Sequence, residues 1–299
     1  MHEQGMTEEF NNSIMVTETG SRKFGSSPFI QVFILAYERP VFFKAALKSV
    51  LDQDYENFIV IVSDNSKSDS IKNVVFELNS PKILYRQRTP SLPAIEHFNQ
   101  VLSEAYADYF MMFHDDDVMF KNCLSELMRS FKSGEKLVAI GGNARKILGN
   151  RQVNSKFCYF ESDQVVSDAK KMLRRYLLGN VWYSPFPAYL YYRPLMSDLR
   201  LPRMGKHADV LFVSQLCERA PVKMLKSVVM AYRFHDSQDS VVCVLRDRWL
   251  MLKWICPKYY DRRSPEIIFF RLNTIYQKRM VSGRNNRFSK TGFRLLLWR

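Results

Sequence analysis

Few cysteines, and none in pairs, leave little basis for a covalent or zinc-bound framework. The five cysteines of the 299-residue chain lie far apart, form no C-x-x-C pair and do not cluster with histidine. An odd number of scattered thiols is typical of reduced, buried side chains and not of disulfide scaffolds or zinc cages. We therefore expect free thiols at Cys123, Cys158, Cys217, Cys243 and Cys256.

Long apolar runs are also absent. No window reaches the roughly 18 to 20 apolar residues that a membrane-spanning helix needs. The stretch from Met1 to Glu9 contains three glutamates and no apolar segment, which argues against a secretory signal. These absences predict a cytoplasmic protein in a reducing compartment, without a transmembrane segment.

Acidic residues are scarce relative to basic ones. Lys and Arg number 44 against 30 Asp and Glu, so the net charge is +14. An apolar content of 46% and an aromatic content of 14% exclude disorder as the main character of the chain. The charge excess is concentrated in residues 246–299, which hold 14 basic and three acidic residues interleaved with Trp, Phe and Leu. Such a segment suits an anionic surface at the inner face of the plasma membrane, nucleic-acid phosphates or a solvated helical subdomain.

From residue 29 onward, short apolar runs alternate with amphipathic segments. The runs predict strands and the segments predict helices at these positions: strands 29–36, 58–62, 83–85 and 109–113; helices 41–51, 69–78 and 92–105. Strict rotation of strand and helix is typical of a mostly parallel sheet flanked by helices. The expected class is therefore α/β and Rossmann-like.

Beyond residue 121 the pattern is less regular but still mixed. We expect these further elements: a helix through Phe131, a strand at 137–140, a hairpin around 148–151, helices at 168–178 and 209–219, and a strand at 222–234. Residues 1–28 lack periodicity and predict a flexible tail. The expected organisation is this tail, an α/β domain at 29–240 and a basic, helical C-terminal region at 241–299.

Polar clusters follow three of the predicted strands. They are Tyr37-Glu38-Arg39, Ser63-Asp64-Asn65 and His114-Asp115-Asp116-Asp117. Ligands of open α/β sheets bind beyond the carboxyl ends of the strands, so we expect these clusters to meet at one edge. Three adjacent carboxylates repel one another, which makes a divalent cation such as Mg²⁺ or Mn²⁺ a suitable partner. A solvated acidic turn that caps the following helix is the alternative.

Two segments together resemble a known family. SVLDQDYENFIVIVSDNSKSD at 49–69, followed by HDDDVMF at 114–120, resembles the family-2 glycosyltransferases of the A-type (GT-A) fold, of the bacterial surface-polysaccharide kind. The likeness covers residues 29–131 and extends more weakly to residue 240. It implies a GT-A fold, a nucleotide-sugar donor, an inverting displacement and a divalent metal.

The resemblance also implies the donor-binding residues. Asp64 takes the place of an aspartate that contacts the uracil of a UDP-sugar, and an Asx turn is the alternative role for it. Ala36, Tyr37 and Arg39 fall in the loop that touches base and ribose, although Tyr37 also fits a half-buried aromatic lid. Arg86 follows the third strand, where phosphate or sugar contacts occur in the family.

The same likeness implies the metal ligands. Ungapped alignment of the acidic motif makes Asp116 the direct ligand, with Asp115 towards the ribose or donor sugar and Asp117 sharing the metal or supporting the next turn. The segment YRFHDSQDS at 232–240 resembles one whose histidine completes the metal or diphosphate site, which selects His235.

A glycosyl transfer needs a base, because a sugar hydroxyl is a poor nucleophile until its proton is removed. The segment KHADVLFVSQ at 206–215 matches the family's base-bearing element and makes Asp209 the candidate, although Ala208 replaces the expected glutamate. A first-turn aspartate stabilised by the helix dipole is the alternative. His97 is expected on the exposed side of its helix, without a function.

The resulting hypothesis is a metal-assisted, inverting transferase that moves a sugar from a nucleotide-sugar, with UDP favoured, to a hydroxyl of a glycan or lipid-linked acceptor. A non-catalytic protein that binds nucleic acid or a partner through the basic region is the alternative, against which the acidic cluster argues. A nucleotidyltransferase would need a glycine-rich phosphate loop, and residues 36–40 contain no glycine.

Overall fold

A strand buried on both faces forms the middle of the first half of the sheet. In the computed structural model, which describes residues 27–131, 134–149, 151–179, 183–235 and 245–284, all seven residues of β1 (Ile30–Ala36) are buried. A continuous apolar run is what a strand covered by helices on both sides requires. The α/β expectation is therefore confirmed at its starting point.

Ten strands form one sheet in the order β3-β2-β1-β4-β9-β6-β10-β5, with β7 paired to β6 and β8 paired to β10. The remaining strands are β2 (Phe58–Asp64), β3 (Ile83–Gln87), β4 (Tyr109–His114), β5 (Val118–Met119), β6 (Ala139–Leu148), β7 (Arg151–Lys156), β8 (Gln164–Val166), β9 (Tyr189–Tyr192) and β10 (Val222–Phe234). The predicted parallel arrangement holds for β3, β2, β1 and β4.

The second half of the sheet is mixed. β9 runs antiparallel to both β4 and β6, whereas β10 runs parallel to β6. β9 was not predicted, because four residues are too few to show a periodicity. The strand expected at 137–140 continues to Leu148, where it turns into the expected hairpin with β7.

The described residues form eight α-helices. They are α1 (Pro40–Leu51), α2 (Ser70–Leu78), α3 (Ala94–Glu104), α4 (Cys123–Phe131), α5 (Ala169–Leu177), α6 (Ala208–Leu216), α7 (Leu245–Ile255) and α8 (Pro265–Arg284). α1 begins at a proline, whose fixed φ and missing N–H suit the first helical position. Each predicted helix is present with ends shifted by up to three residues.

The C-terminal helices pack on the rest of the protein. Met251 and Ile255 of α7 and Ile267 of α8 are fully buried in a cluster shared with Leu173 of α5 and Leu211 of α6. The described part of the basic region is thus helical, as expected. No helix of the described residues is long and apolar enough to cross a membrane, and the described cysteines are free thiols. Cys243, residues 1–26 and residues 285–299 lie outside the described residues.

Two glycines let β6 pass between its neighbours. A Cβ on Gly141 would lie 2.6 Å from Ser184 Cβ, and one on Gly142 would lie 2.1 Å from Val229 Cγ2. Gly142 sits where the register between β6 and β10 shifts. The absence of a side chain is therefore needed for β10 to approach β6 this closely.

We expect Gly142→Ala to destabilise the protein by about 1 to 3 kcal/mol, because the added methyl overlaps the Val229 side chain. Urea unfolding would measure the change. Gly142→Ala combined with Val229→Ala should cost less than the sum of the two single changes, since the second removes the overlapping methyls. Additive costs would contradict the steric explanation.

Candidate functional site

Three loops meet at the carboxyl edge of the parallel strands. Ala36 pairs in register with Asp64, and Leu35 with His114, so β1, β2 and β4 end at one level. The backbone N–H of Tyr37 donates to Asp115 Oδ2 at 2.8 Å. The predicted convergence of the first loop with the acidic cluster is therefore present.

Glu38 fastens the first loop to the second. Its φ of +52° is a left-handed conformation, and its carboxylate accepts hydrogen bonds from the backbone N–H groups of Lys67 and Ser68 at 2.7 and 3.1 Å. These bonds lower the pKa of Glu38, with the Ser68 hydroxyl as the largest cause. This role was not predicted, because no local sequence pattern marks a glutamate that bonds a loop 30 residues away.

The acidic cluster is buried and bridged by one arginine. The side chains of Asp115 and Asp116 are 1% and 6% exposed. Arg39 Nη2 donates to Asp115 Oδ1 at 2.6 Å, and Arg39 Nη1 donates to Asp116 Oδ2 at 2.9 Å. Arg39, expected near base and ribose, is thus held against the carboxylates.

The end of β10 completes the cluster. Arg233 donates its backbone N–H to Asp117 Oδ1 at 2.8 Å and its Nε–H to the Asp116 carbonyl oxygen at 2.6 Å. His235 Nε2 lies 2.9 Å from Asp116 Oδ2. The predicted association of His235 with Asp116 is therefore present, across 119 residues of sequence.

The three carboxylates differ in their pKa values because burial and the neighbouring charges act on them to different extents. Burial raises the pKa of Asp115 to about 7 against the opposing effect of Arg39, and it raises the pKa of Asp117 well above its usual value. For Asp116, burial is outweighed by His114, Arg39 and His235, so its pKa is lowered. Asp116 is consequently the carboxylate that these surroundings keep ionised.

The cluster offers a ligand set for a divalent cation. Ligand atoms of His114, Asp116 and Asp117 lie within 4.8 Å of one another. His114 Nε2 and Asp117 Oδ2 are buried without a hydrogen-bond partner among the described residues. Oxygen and imidazole donors fit Mn²⁺ or Mg²⁺. His114 was not assigned from the sequence, although it precedes the aspartates directly; His235 contacts Asp116 but is not one of these three.

Two residues that were expected to contact the nucleotide-sugar donor, Ala36 and Asp64, have no exposed surface. Ala36 is fully buried, and its carbonyl accepts the Asn65 N–H at 2.9 Å. Asp64 is also fully buried; it accepts from the Ser66 N–H at 2.8 Å, which forms the alternative Asx turn, and from the Tyr85 hydroxyl at 2.6 Å. Tyr37 is 46% exposed, so about half of its side chain is open to solvent at this edge.

Arg86 is not brought to the acidic cluster. It donates to Glu104 of α3 at 2.9 Å, and Arg88 binds both Glu104 and the Ser63 hydroxyl on the same side. Side chains of successive strand residues point to opposite faces, so Ser63 and Arg86 face α3, whereas Asp64 and Tyr85 face away from it.

The expectation that His97 is exposed is wrong. His97 is 5% exposed, and its Nε2 lies 2.7 Å from Ser63 Oγ. α3 packs its inner side on the sheet through His97 and Val101, so the histidine lies within the protein. Burial lowers the pKa of His97 to about 4.

Asp209 lies in the first turn of α6, a position that both the candidate base and the alternative helix-stabilising role require. Its Oδ1 accepts the Val210 N–H at 2.8 Å, and burial raises the pKa of Asp209 to about 6. Its charge also contributes to raising the pKa values of Tyr183 and Tyr191, for which burial is the largest cause.

An aromatic contact joins α6 to the acidic cluster. The ring of Phe186 lies 6.2 Å from His114 and 6.1 Å from Phe212, measured between centroids. Phe212 is one turn after Asp209 on α6. Phe186 therefore contacts a candidate metal ligand, His114, and the helix that carries the candidate base.

Comparison with known proteins identifies a matching family and two relatives. The family model described as glycosyl transferase family 2 matches residues 31–198. The GalNAc(5)-diNAcBac-PP-undecaprenol beta-1,3-glucosyltransferase of Campylobacter jejuni is 30% identical over 120 residues, which are 39% of this chain and 38% of that protein. The putative colanic acid biosynthesis glycosyl transferase WcaA of Escherichia coli is 33% identical over 102 residues, 33% of this chain and 37% of WcaA. The matches thus span well under half the length of either relative.

Solved structures share the fold. S. aureus TarS 1-349 in complex with UDP-GlcNAc superposes with a TM-score of 0.61 at 16% identity, covering 88% of this chain and 76% of TarS. The mannosyltransferase PcManGT from Pyrobaculum calidifontis, in complex with GDP-Man and Mn²⁺, gives 0.57 at 12% identity, covering 88% and 77%. The GT-A fold expected from the family likeness is confirmed.

We expect His97 to make the stability depend on pH. A pKa of about 4 in the folded protein, against about 6.5 in the unfolded chain, means that stability is fully present above pH 6.5 and is lost as the pH falls towards 4. The loss between pH 7.5 and 4.5 should be on the order of 2 to 3 kcal/mol.

Urea unfolding of the wild type and of His97→Gln across this range would test the prediction. The variant should be less stable at pH 7.5 but lose less stability on acidification. The other histidines titrate in both proteins and cancel in the difference. Parallel curves would contradict the prediction.

Proposed function

The chain belongs to glycosyl transferase family 2, and from this premise we propose that it transfers a sugar from a UDP-sugar to a hydroxyl of a glycan or lipid-linked saccharide. The observation that carries the proposal is the buried cluster Asp115, Asp116 and Asp117 at the carboxyl edge of β4, joined to the loops after β1 and β2. This is the edge where α/β sheets bind nucleotides. The names of the Campylobacter jejuni and Escherichia coli relatives support a polysaccharide or lipid-linked acceptor.

Tyr37 is our first candidate for contact with the nucleotide base, because its ring is open at the edge while its backbone is held by Asp115. Asp64 stands next to it as the proposed uracil acceptor. A contact from Asp64 requires the Tyr85 hydroxyl or the Ser66 N–H to share its oxygens. Arg86 would first have to leave Glu104, so we assign it the weakest part in donor binding.

Asp116, Asp117 and His114 are the residues we propose to hold a divalent cation, with His235 supporting Asp116. Such a cation supplies positive charge to a departing nucleoside diphosphate. The two unpartnered buried atoms, His114 Nε2 and Asp117 Oδ2, support this assignment, since unpaired polar atoms in an interior cost free energy. Asp115 is positioned by the Tyr37 N–H and we assign it to the ribose or donor sugar.

Asp209 is the proposed general base of an inverting displacement. It would accept the proton of the acceptor hydroxyl as that oxygen attacks the anomeric carbon. A pKa of about 6 leaves the carboxylate ionised at neutral pH but more basic than a solvated aspartate, which suits proton abstraction. Phe212, one turn after Asp209 on α6, contacts Phe186, whose ring also contacts the proposed cation ligand His114.

A lipid-linked acceptor would require the protein to work at a membrane, and α8 has a suitable outer face. Five apolar residues at helical spacing are 45 to 61% exposed there: Ile268, Phe269, Leu272, Ile275 and Tyr276. The opposite side of α8 is buried against the protein through Ile267 and Phe270. Arg271 lies beside this face with its guanidinium over Trp249.

Apolar side chains surrounded by basic residues fit the interface of an anionic bilayer. We therefore propose the inner leaflet of the plasma membrane, reached from the cytoplasm, as the partner of this outer face of α8. The excess of basic residues in 246–299 supports an anionic surface over a neutral one.

We expect Asp209→Asn to keep UDP binding but to reduce the transfer rate by roughly 10² to 10⁴, the usual effect of losing a general base. Calorimetry with UDP and Mn²⁺ would measure binding, and release of UDP from UDP-sugars in the presence of saccharide acceptors would measure transfer. In the wild type, kcat/KM should fall as the pH drops through about 6, where Asp209 becomes protonated.

Asp198→Asn is the matched control, because Asp198 is exposed and its φ of +63° also suits asparagine. It should leave binding and transfer unchanged. Equal loss of UDP binding and transfer in Asp209→Asn would make Asp209 structural. Failure of the wild type to bind UDP in a panel of nucleoside diphosphates would remove the donor assignment.

We expect the wild type to float with phosphatidylcholine vesicles that contain phosphatidylglycerol, and Leu272→Glu to bind them roughly tenfold or more weakly, since an exposed leucine that would enter the bilayer interface is replaced by a negative charge. Phe76→Glu is the control, because Phe76 is equally exposed on α2 but isolated from the α8 face. Flotation with and without the anionic lipid measures both. Equal binding to neutral vesicles, or equal effects of the two substitutions, would contradict the assignment.

A further inference from the structure

Arg39 bonds to two aspartates of the acidic cluster and lies close to His235. Its Nη1 lies 2.9 Å from Asp116 Oδ2 and 3.4 Å from His235 Nε2. Its Nη2 lies 2.6 Å from Asp115 Oδ1. One guanidinium therefore stands against two buried carboxylates and an imidazole.

The guanidinium and a divalent cation have the same requirement. Both need the lone pairs of Asp116, and Arg39 already engages Oδ2 of that carboxylate together with His235. An arginine side chain stays protonated in proteins, so it cannot vacate the site by losing charge. A cation that coordinates Asp116 must therefore either displace the guanidinium or stand beside a like charge at short range.

The side chains differ in their freedom to leave. Arg39 is 30% exposed, whereas Asp115 and Asp116 are 1% and 6% exposed. Arg39 also lies in the loop between β1 and α1, next to the left-handed Glu38. Of the three side chains joined by these ion pairs, the two carboxylates are buried and Arg39 is the one that reaches solvent.

We propose that Arg39 is the resident counter-cation of the acidic cluster and that it competes with a divalent cation for Asp116 in the nucleotide-free protein. The inference rests on the proposed function for the identity of the cation. Arg39 is then more than a contact to base or ribose, because it makes metal entry depend on its own withdrawal.

The competition has a consequence for the donor. A guanidinium withdrawn from the carboxylates has a planar donor fork that matches phosphate oxygens. A nucleoside diphosphate at this edge would accept it, so metal and nucleotide should strengthen each other's binding. Such coupling is reciprocal, because the free energies of the two binding orders must agree.

The test is a titration of the nucleotide-free full chain with Mn²⁺, followed by the electron paramagnetic resonance signal of the free ion. Arg39→Gln should bind Mn²⁺ about tenfold or more tightly than the wild type, since a charge-assisted bond pair no longer opposes the ion. Arg39→Lys keeps the charge but cannot bridge both carboxylates, and its gain should be smaller. Arg129→Gln removes a 75% exposed arginine that pairs with Glu126 of its own helix, and should match the wild type.

Repeating the titration with UDP measures the coupling. In the wild type UDP should tighten Mn²⁺ binding, and in Arg39→Gln it should do so less. A wild-type signal from the ¹⁵N-labelled guanidinium of Arg39, assigned by its absence in Arg39→Gln, should shift when diamagnetic Mg²⁺ is added, which tests the competition without a substitution.

Unchanged or weaker Mn²⁺ binding by Arg39→Gln, with an Arg39 guanidinium signal that ignores Mg²⁺, would overturn the inference even if UDP and Mn²⁺ bind the wild type together. Tighter Mn²⁺ binding by Arg39→Gln in a protein that ignores UDP would instead keep the inference and overturn the donor assignment. The two failures are therefore distinguishable.

Discussion

Three adjacent carboxylates buried at the end of one strand must be balanced from within the protein, and much of the site's construction follows from that requirement. Charged groups in an interior are expensive unless they are paired and hydrogen-bonded. The balancing groups come from opposite parts of the sequence: Arg39 from the loop after β1, and Arg233 and His235 from the end of β10. The same contacts that balance the aspartates therefore connect the loop after β1 and the end of β10 to the end of β4.

The parallel half of the fold could be predicted from the sequence because its signals are local. A run such as Ile30–Ala36 is apolar throughout because both faces are covered, and a polar residue after each such run must lie at the carboxyl edge. That geometric rule alone brings Tyr37, Asp64 and Asp115 to one side of the sheet. The resemblance to family-2 glycosyltransferases then predicted a nucleotide-sugar site at this edge. The match to the family model agrees with the resemblance.

What could not be predicted depends on pairings between distant residues. Glu38 accepts hydrogen bonds from Lys67 and Ser68, and His97 is buried against Ser63. These pairs are about 30 residues apart, so no local sequence pattern predicts them. The position of Arg86 after the third strand predicted a contact with phosphate or sugar. Its side chain instead donates a hydrogen bond to Glu104 on the neighbouring helix. Which of the aspartates is held ionised likewise depends on burial and on cations that only the folded chain assembles.

Inserting β9 between β4 and β6 has a mechanical consequence. β9 hydrogen-bonds on one side to the strand that ends at His114 and on the other to β6, and the Phe186 turn just before it touches both His114 and α6. The end of β4 is thus paired with β9, and the helix that carries Asp209 contacts the turn that leads into β9. Because β9 pairs with a strand on each side, a change in the spacing between β4 and β6 would require these backbone hydrogen bonds to break.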